Sequence, residues 1–117
     1  MSSQSKLHAK IIDMWDLYKK SLPDVGKAYD ELSMEVYKDG VLPGKIKRLM
    51  ALTGAIVHGC RACILFQTDQ AMAAGATVEE ILEACSVAVS LGGTMGAGET
   101  TRVVEFLDEK GLLSDFH

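Results

Sequence analysis

The chain is predicted to be all-α, a single domain over residues 1–117 built from about six helices. Three observations predict it. Apolar residues recur at three- and four-residue spacing through most of the chain. No segment alternates apolar and polar residues as a half-buried strand does. Proline, glycine and capping residues punctuate the periodic segments at helix-length intervals. Of the 117 residues, 48% are hydrophobic and 24% charged, which is the composition of a folded globular domain rather than a disordered chain. There is no internal repeat and no low-complexity linker.

The first helix runs from residue 5 to about 20. Leu7, Ile11, Met14, Trp15 and Tyr18 form its apolar stripe, and Ser5 is its candidate N-cap. Pro23 breaks the pattern and opens a second helix to about Lys38, because proline suits a first helical turn. Its stripe is Val25, Tyr29, Leu32 and Val36, with Asp24, Asp30, Glu31 and Glu35 on other faces. Asp39-Gly40 is expected to stop it, the glycine taking the left-handed cap conformation. A third helix follows from about Pro43 to Val57. Lys45, Lys47 and Arg48 crowd its first turns, where the helix dipole disfavours cations, so they are read either as an interface or anion-facing group or as a solvated basic face. Its body, Leu49 to Val57, is apolar nearly all round and is expected to be buried in a core or between subunits.

Gly59 predicts a break. The fourth helix starts at or near Cys60 and runs to about Ala74, with Gly75 as its stop. Thr77 and Glu80 match a capping box for the fifth helix, which runs to about Leu91. Gly92 to Gly98 is predicted to be a glycine-rich turn, with a sixth helix over Glu99–Glu109 ending at Gly111 and a loosely docked tail from Leu112 to His117. Gly92-Gly93 is no phosphate loop, since no strand precedes it and no Walker lysine follows.

The chemistry-bearing residues are Cys60 and Cys63. Two thiols three residues apart on a helix share a face, close enough to form a disulfide or to share a metal. At a helix N-terminus, unpaired N–H groups and the dipole favour thiolate over thiol. Arg61 and His58 would add positive charge. His58 would point away on a continuous helix, but a break at Gly59 can swing it toward the sulfur. Cys60 is well placed as the thiolate; Cys63 is the attacking thiol if a base reaches it. Gln67, four residues after Cys63, lies on the same face, where its amide can hydrogen-bond the sulfur. The pair is read as a redox-active dithiol with no cofactor and no metal. The other readings are two small core residues, or half of a zinc site for which His58 and Cys85 would be poor additional ligands. Cys85, mid-helix among apolar residues, reads as core; Met34, Met50, Met72 and Met95 read as core or interface filler; His8 and His117 read as solvated.

The net charge of −4 gives no reason to expect nucleic acid or an anionic membrane as a partner. Leu49 to Val57, the longest apolar stretch, is too short to span a bilayer, and the N-terminus has no signal-peptide pattern. One close-spaced cysteine pair is no secreted disulfide framework. The expectation is a soluble cytoplasmic protein.

The segment from about 43 to 98 resembles the carboxymuconolactone decarboxylase and alkylhydroperoxidase D-like family. The resemblance is carried by Lys45 to Leu52, by Cys60-Arg61-Ala62-Cys63-Ile64, by Ala71, by Gly75 to Ala84 and by Gly92-Gly93. It implies an all-helical fold assembling with itself as trimers or hexamers. It also implies reduction of hydroperoxides, or electron shuttling, through a reversible disulfide, with a thioredoxin-like or lipoyl protein as reductant. The family's decarboxylases lack the cysteine pair. Its redox members usually carry a histidine four residues after the second cysteine and a glutamate twelve before the first. Here those positions hold Gln67 and Arg48, neither of which can act as a general base. Arg48 can hold a thiolate or an anionic substrate, and His58 can serve as a displaced base. Three functions follow: a thiol-disulfide enzyme reducing a small hydroperoxide or a partner disulfide through Cys60 and Cys63; a non-catalytic ligand-binding or redox-sensing oligomer; and a decarboxylase-like enzyme on an acidic substrate held by Arg48, Lys45 and Lys47.

Overall fold

The periodic segments fold as helices in the expected order. The computed structural model describes residues 3–117. Among them are five α-helices, α1 (Ser3–Ser21), α2 (Pro23–Tyr37), α3 (Gly44–His58), α4 (Arg61–Ala73) and α5 (Val78–Glu109), and a closing 3₁₀ turn, Ser114–Phe116. No strand occurs among these residues.

The core is the packing of α3, α4 and α5. Leu52 and Ile56 of α3, Ile64 and Ala71 of α4, and Ile81, Cys85, Val103 and Leu107 of α5 form one buried cluster. Each fully buried leucine or isoleucine there contributes roughly 1.5–3 kcal/mol. By length and composition α5 would also reach across a bilayer. Its Ile81, Cys85 and Leu107 pack in this cluster.

The glycine run differs from expectation. Gly92 to Gly98 remains helical, and α5 is interrupted only at Gly93, with φ 57° and ψ −134°. The expected turn and the helix after it are therefore both present, but the turn is the single residue Gly93 and the second helical arm follows it directly rather than starting at Glu99. The break is sharp: a Cβ built on buried Gly96 would lie 2.6 Å from the carbonyl oxygen of Ala88. Residues eight apart on a straight helix are about 12 Å apart, so the chain folds back at Gly93 and Gly96 packs directly on the preceding arm.

Helix ends explain most of the other differences. Ser5 is not an N-cap: it lies inside α1, and its N–H and hydroxyl both donate to Glu109 at the end of α5. Gly40 does not adopt a left-handed conformation. Instead α2 ends as Lys38 turns extended (φ −65°, ψ 154°), and Asp39 accepts the N–H of Gly44 at 2.6 Å, capping α3. Thr77 and Glu80 do form the capping box. Hydrogen bonds to the Thr77 N–H and to Lys45 hold the Glu80 carboxyl below its ordinary range.

His8 is buried rather than solvated. Its ring meets the edge of Phe106, and Nε2 lies 3.6 Å from Asp69, beyond hydrogen-bond length. The tail is anchored rather than loose, because Leu113 is buried in the core cluster; His117, exposed, meets Asp108 at 2.6 Å.

The other side of the fold is open. α2 packs chiefly on α1, where Trp15 stacks on Tyr18 and meets Tyr29 edge-on. Its stripe exists but is left about half exposed in the single chain at Val25, Tyr29, Leu32 and Val36. The body of α3 is likewise covered on one side only, with Met50 57% exposed.

Candidate functional site

The site is built at the junction of α3 and α4. Gly59, with φ 75°, ends α3 in the left-handed conformation that a residue without Cβ takes freely, and donates to the carbonyl of Ile56. This turns the chain so that Cys60, in extended conformation, becomes the N-cap of α4. Its Sγ accepts the N–H of Cys63 at 3.3 Å, satisfying one of the donors that a helix start leaves unpaired. Cys60 and Cys63 are paired as a disulfide, with Cα atoms 5.2 Å apart. Cys60 is half-buried and Cys63 exposed. Among the described residues, no three His, Cys, Asp or Glu side chains gather as a metal site.

One turn along α4, Gln67 does not bond to sulfur. Its Oε1 accepts from Arg48 Nη1 at 3.1 Å, and its Nε2 donates to the Tyr37 hydroxyl at 3.3 Å. The Arg48 guanidinium lies over the Tyr37 ring, 3.6 Å from its centroid, with Phe66 at 5.9 Å. Burial lowers the Arg48 pKa from its ordinary value, and the charges of Tyr37 and Tyr29 act against that shift; an arginine stays charged at neutral pH regardless. The residues at the two departing positions, Gln67 and Arg48, are thus bonded to each other.

The basic residues at the start of α3 separate into different jobs. Lys45 pairs with Glu80 at 3.0 Å. Lys47 donates to the carbonyls of Val36 and Lys38, at 3.0 and 2.8 Å, closing the C-terminus of α2. Arg48 alone joins Gln67 and Tyr37. His58, the last residue of α3, is exposed and makes no hydrogen bond or ion pair among the described residues. Cys85 is buried in the core, and desolvation pushes its thiol up to about 11.

Tyr37 is the participant that sequence reasoning missed. It lies beside the Val36 stripe position, and the only signal was the short connection after it, which returns the chain directly to Arg48. An open groove of about 500 Å³ lies elsewhere, between α3 and α5, lined by Leu49, Met50, Thr53, Glu83 and Val87 among others and by neither cysteine of the pair.

Residues 23–106 match the carboxymuconolactone decarboxylase family. The chain belongs to that family. Among curated relatives of this carboxymuconolactone decarboxylase family member, an uncharacterized protein of Cupriavidus necator is 31% identical over 86 residues, covering 74% of this chain and 76% of its own length. A carboxymuconolactone decarboxylase family protein from Legionella pneumophila, in its apo crystal structure, has TM-score 0.84 and 28% identity, over 91% of this chain and 95% of that one. A Thermotoga maritima member, described with a suggested involvement in antioxidative response, has TM-score 0.67 and 33% identity, over 78% of this chain and 94% of its own. The all-helical fold expected from the resemblance is therefore the fold of the family.

Proposed function

We propose that this protein is a thiol-disulfide redox protein that reduces a hydroperoxide, or a partner's disulfide, through reversible oxidation of Cys60 and Cys63. The observation that carries the reading is the pairing of the two cysteines at the accessible first turn of α4. The family likeness to a member with a suggested antioxidative role supports it.

In the reduced protein the exposed Cys63 thiolate attacks a peroxide oxygen. The O–O bond breaks, the alkoxide leaves as an alcohol after taking a proton, and sulfur becomes a sulfenic acid. Cys60 then displaces water and the S–S bond forms. The balance is dithiol plus hydroperoxide giving disulfide, alcohol and water. A partner disulfide would instead pass through a mixed disulfide and leave as two thiols. A thioredoxin-like or lipoyl dithiol returns two electrons and two protons. Gln67 has no useful pKa and Arg48 stays charged, so the proton moves through His58 or solvent.

Turnover of an organic hydroperoxide with a dithiol donor tests the reading. Cys60→Ser and Cys63→Ser should each abolish it; full turnover in both single variants would overturn it. The bonding of Arg48 to Gln67 favours a second reading, a redox-sensing or ligand-binding oligomer, which predicts stoichiometric disulfide formation without turnover. A decarboxylase-like role, independent of the cysteines, would have only Arg48 for its acidic substrate, since Lys45 and Lys47 are engaged. A reducing cytoplasmic setting suits the redox chemistry. The exposed stripe of α2 supports assembly with further copies of the chain as a trimer or hexamer.

A further inference from the structure

We infer that Arg48 and Tyr37 together receive the carboxylate of the dithiol's substrate, so that the preferred substrate is a small molecule carrying a carboxylate near its peroxide or disulfide bond. The inference rests on the redox reading above and adds the substrate's charge.

The donors are counted from the hydrogen bonds. A guanidinium has five N–H groups and no acceptor. One of the five is spent on Gln67 Oε1. Arg48 has no carboxylate partner among the described residues, whereas Lys45 faces Glu80, Arg102 faces Glu99 and Lys110 faces Asp69. The Tyr37 oxygen accepts from Gln67 Nε2, which leaves its own O–H to donate elsewhere. Both ends of the Gln67 amide are therefore consumed in orienting two donors, and what they present is a donor-only, positively charged edge.

That edge is held in place. Tyr37 beneath the guanidinium fixes its plane. Lys47 bonds the carbonyls of Val36 and Lys38 on either side of Tyr37 and pins the backbone that carries the ring. A planar, oriented guanidinium suits bidentate binding of a carboxylate. The reacting sulfur is on the same helix: residues four apart on a helix have Cβ atoms about 5–6 Å apart, so Gln67 lies about one helical turn from Cys63, and Arg48 lies one hydrogen bond beyond Gln67. A carboxylate seated on Arg48 would leave a bond a few carbons away within reach of that sulfur. The chemistry is the step written above, with the carboxylate unchanged.

The test compares substrates differing only in charge: a tertiary alkyl hydroperoxide bearing a carboxylate and its methyl ester, and 3,3′-dithiodipropionate and its dimethyl ester. The rate of Cys60–Cys63 disulfide formation is measured on the full-length reduced protein by quenched alkylation. The acids should react about 10-fold faster than the esters at low salt, a preference that salt weakens. Arg48→Met should erase the preference by slowing the acids alone. Tyr37→Phe, which keeps the ring under the guanidinium, should reduce it. Equal rates for acid and ester in the natural protein would overturn the inference while leaving the redox reading standing. Equal slowing of acid and ester by Arg48→Met would overturn it in favour of a role on the thiolate. If no probe oxidises the dithiol, the redox reading fails and the inference falls with it.

Discussion

Ser5 donates both its backbone N–H and its hydroxyl to Oε1 of Glu109, each at 2.8 Å. The other carboxylate oxygen of Glu109 accepts the N–H of Gln4 at 3.0 Å. The last turn of α5 thus caps the first turn of α1 from across the fold, with a negative charge at the positive end of a helix. Glu109→Ala should cost about 1 kcal/mol, the usual size of a lost N-cap, read as a lower urea midpoint. Glu109→Gln, which keeps an acceptor and loses the charge, should cost less. A midpoint unmoved by Glu109→Ala would show that the contact stabilises nothing.

The glycines of α5 should separate by position. Gly93→Ala forces a Cβ into the φ 57°, ψ −134° conformation of the break, at a cost of about 1–3 kcal/mol. Gly96→Ala should be worse, since its Cβ would meet the Ala88 carbonyl at 2.6 Å and that neighbour is backbone. Gly98 is helical and a Cβ there meets nothing within 4 Å. Gly98→Ala should therefore stabilise the fold by up to about 1 kcal/mol of helix propensity, read as a higher melting temperature. Thermal melts of the three variants check the order.

Cys85 should behave as an inert thiol. Its pKa rises from 9.0 to about 11 because burial disfavours the thiolate. A buried neutral thiol stabilises the fold fully below pH ~9, and that contribution declines as pH rises toward ~11, where the folded form ionises too. Denaturation between pH 8 and 11 should show a steeper loss of stability for the natural protein than for Cys85→Ala. Native alkylation near neutral pH should label the reduced Cys60 and Cys63 and spare Cys85. Labelling of all three at one rate would contradict this.

The outward face of α2 should be an assembly surface. Leu32 is 60% and Val36, four residues on and on the same face, 46% exposed in the single chain, and apolar groups this exposed along one helix face suit a protein interface. Light scattering should give an oligomer for the natural protein and a smaller species for Leu32→Glu. A monomer in both would remove the assembly proposal.

Features that depend on neighbours in sequence were legible, and those made by distant segments were not. The Thr77–Glu80 capping box could be read because its partners are three residues apart. The cysteine pair was legible for the same reason. His8 was misread because its burial comes from Phe106 and Asp69, on two other helices. The break in the glycine run was legible from composition but its extent was not: within the run only Gly93 takes a positive φ, and the residues on either side are helical. Asp39 looked like the end of one helix and serves as the cap of the next. Arg48 and Gln67 were each noticed for what they were not, a glutamate and a histidine; that they bond each other, with Tyr37 as third member, needed three helices brought together.

The one-residue reversal at Gly93 also constrains how this chain can vary in length. A loop would absorb an added or deleted residue as slack. Here an inserted residue beyond the break would turn the second arm about 100° around its own axis, carrying Val103, Phe106 and Leu107 away from the buried side they now occupy. The span between Ala88 and Val103 should therefore keep its length while its side chains change, and insertions should accumulate instead in the connection between α2 and α3, where Val41 is fully exposed.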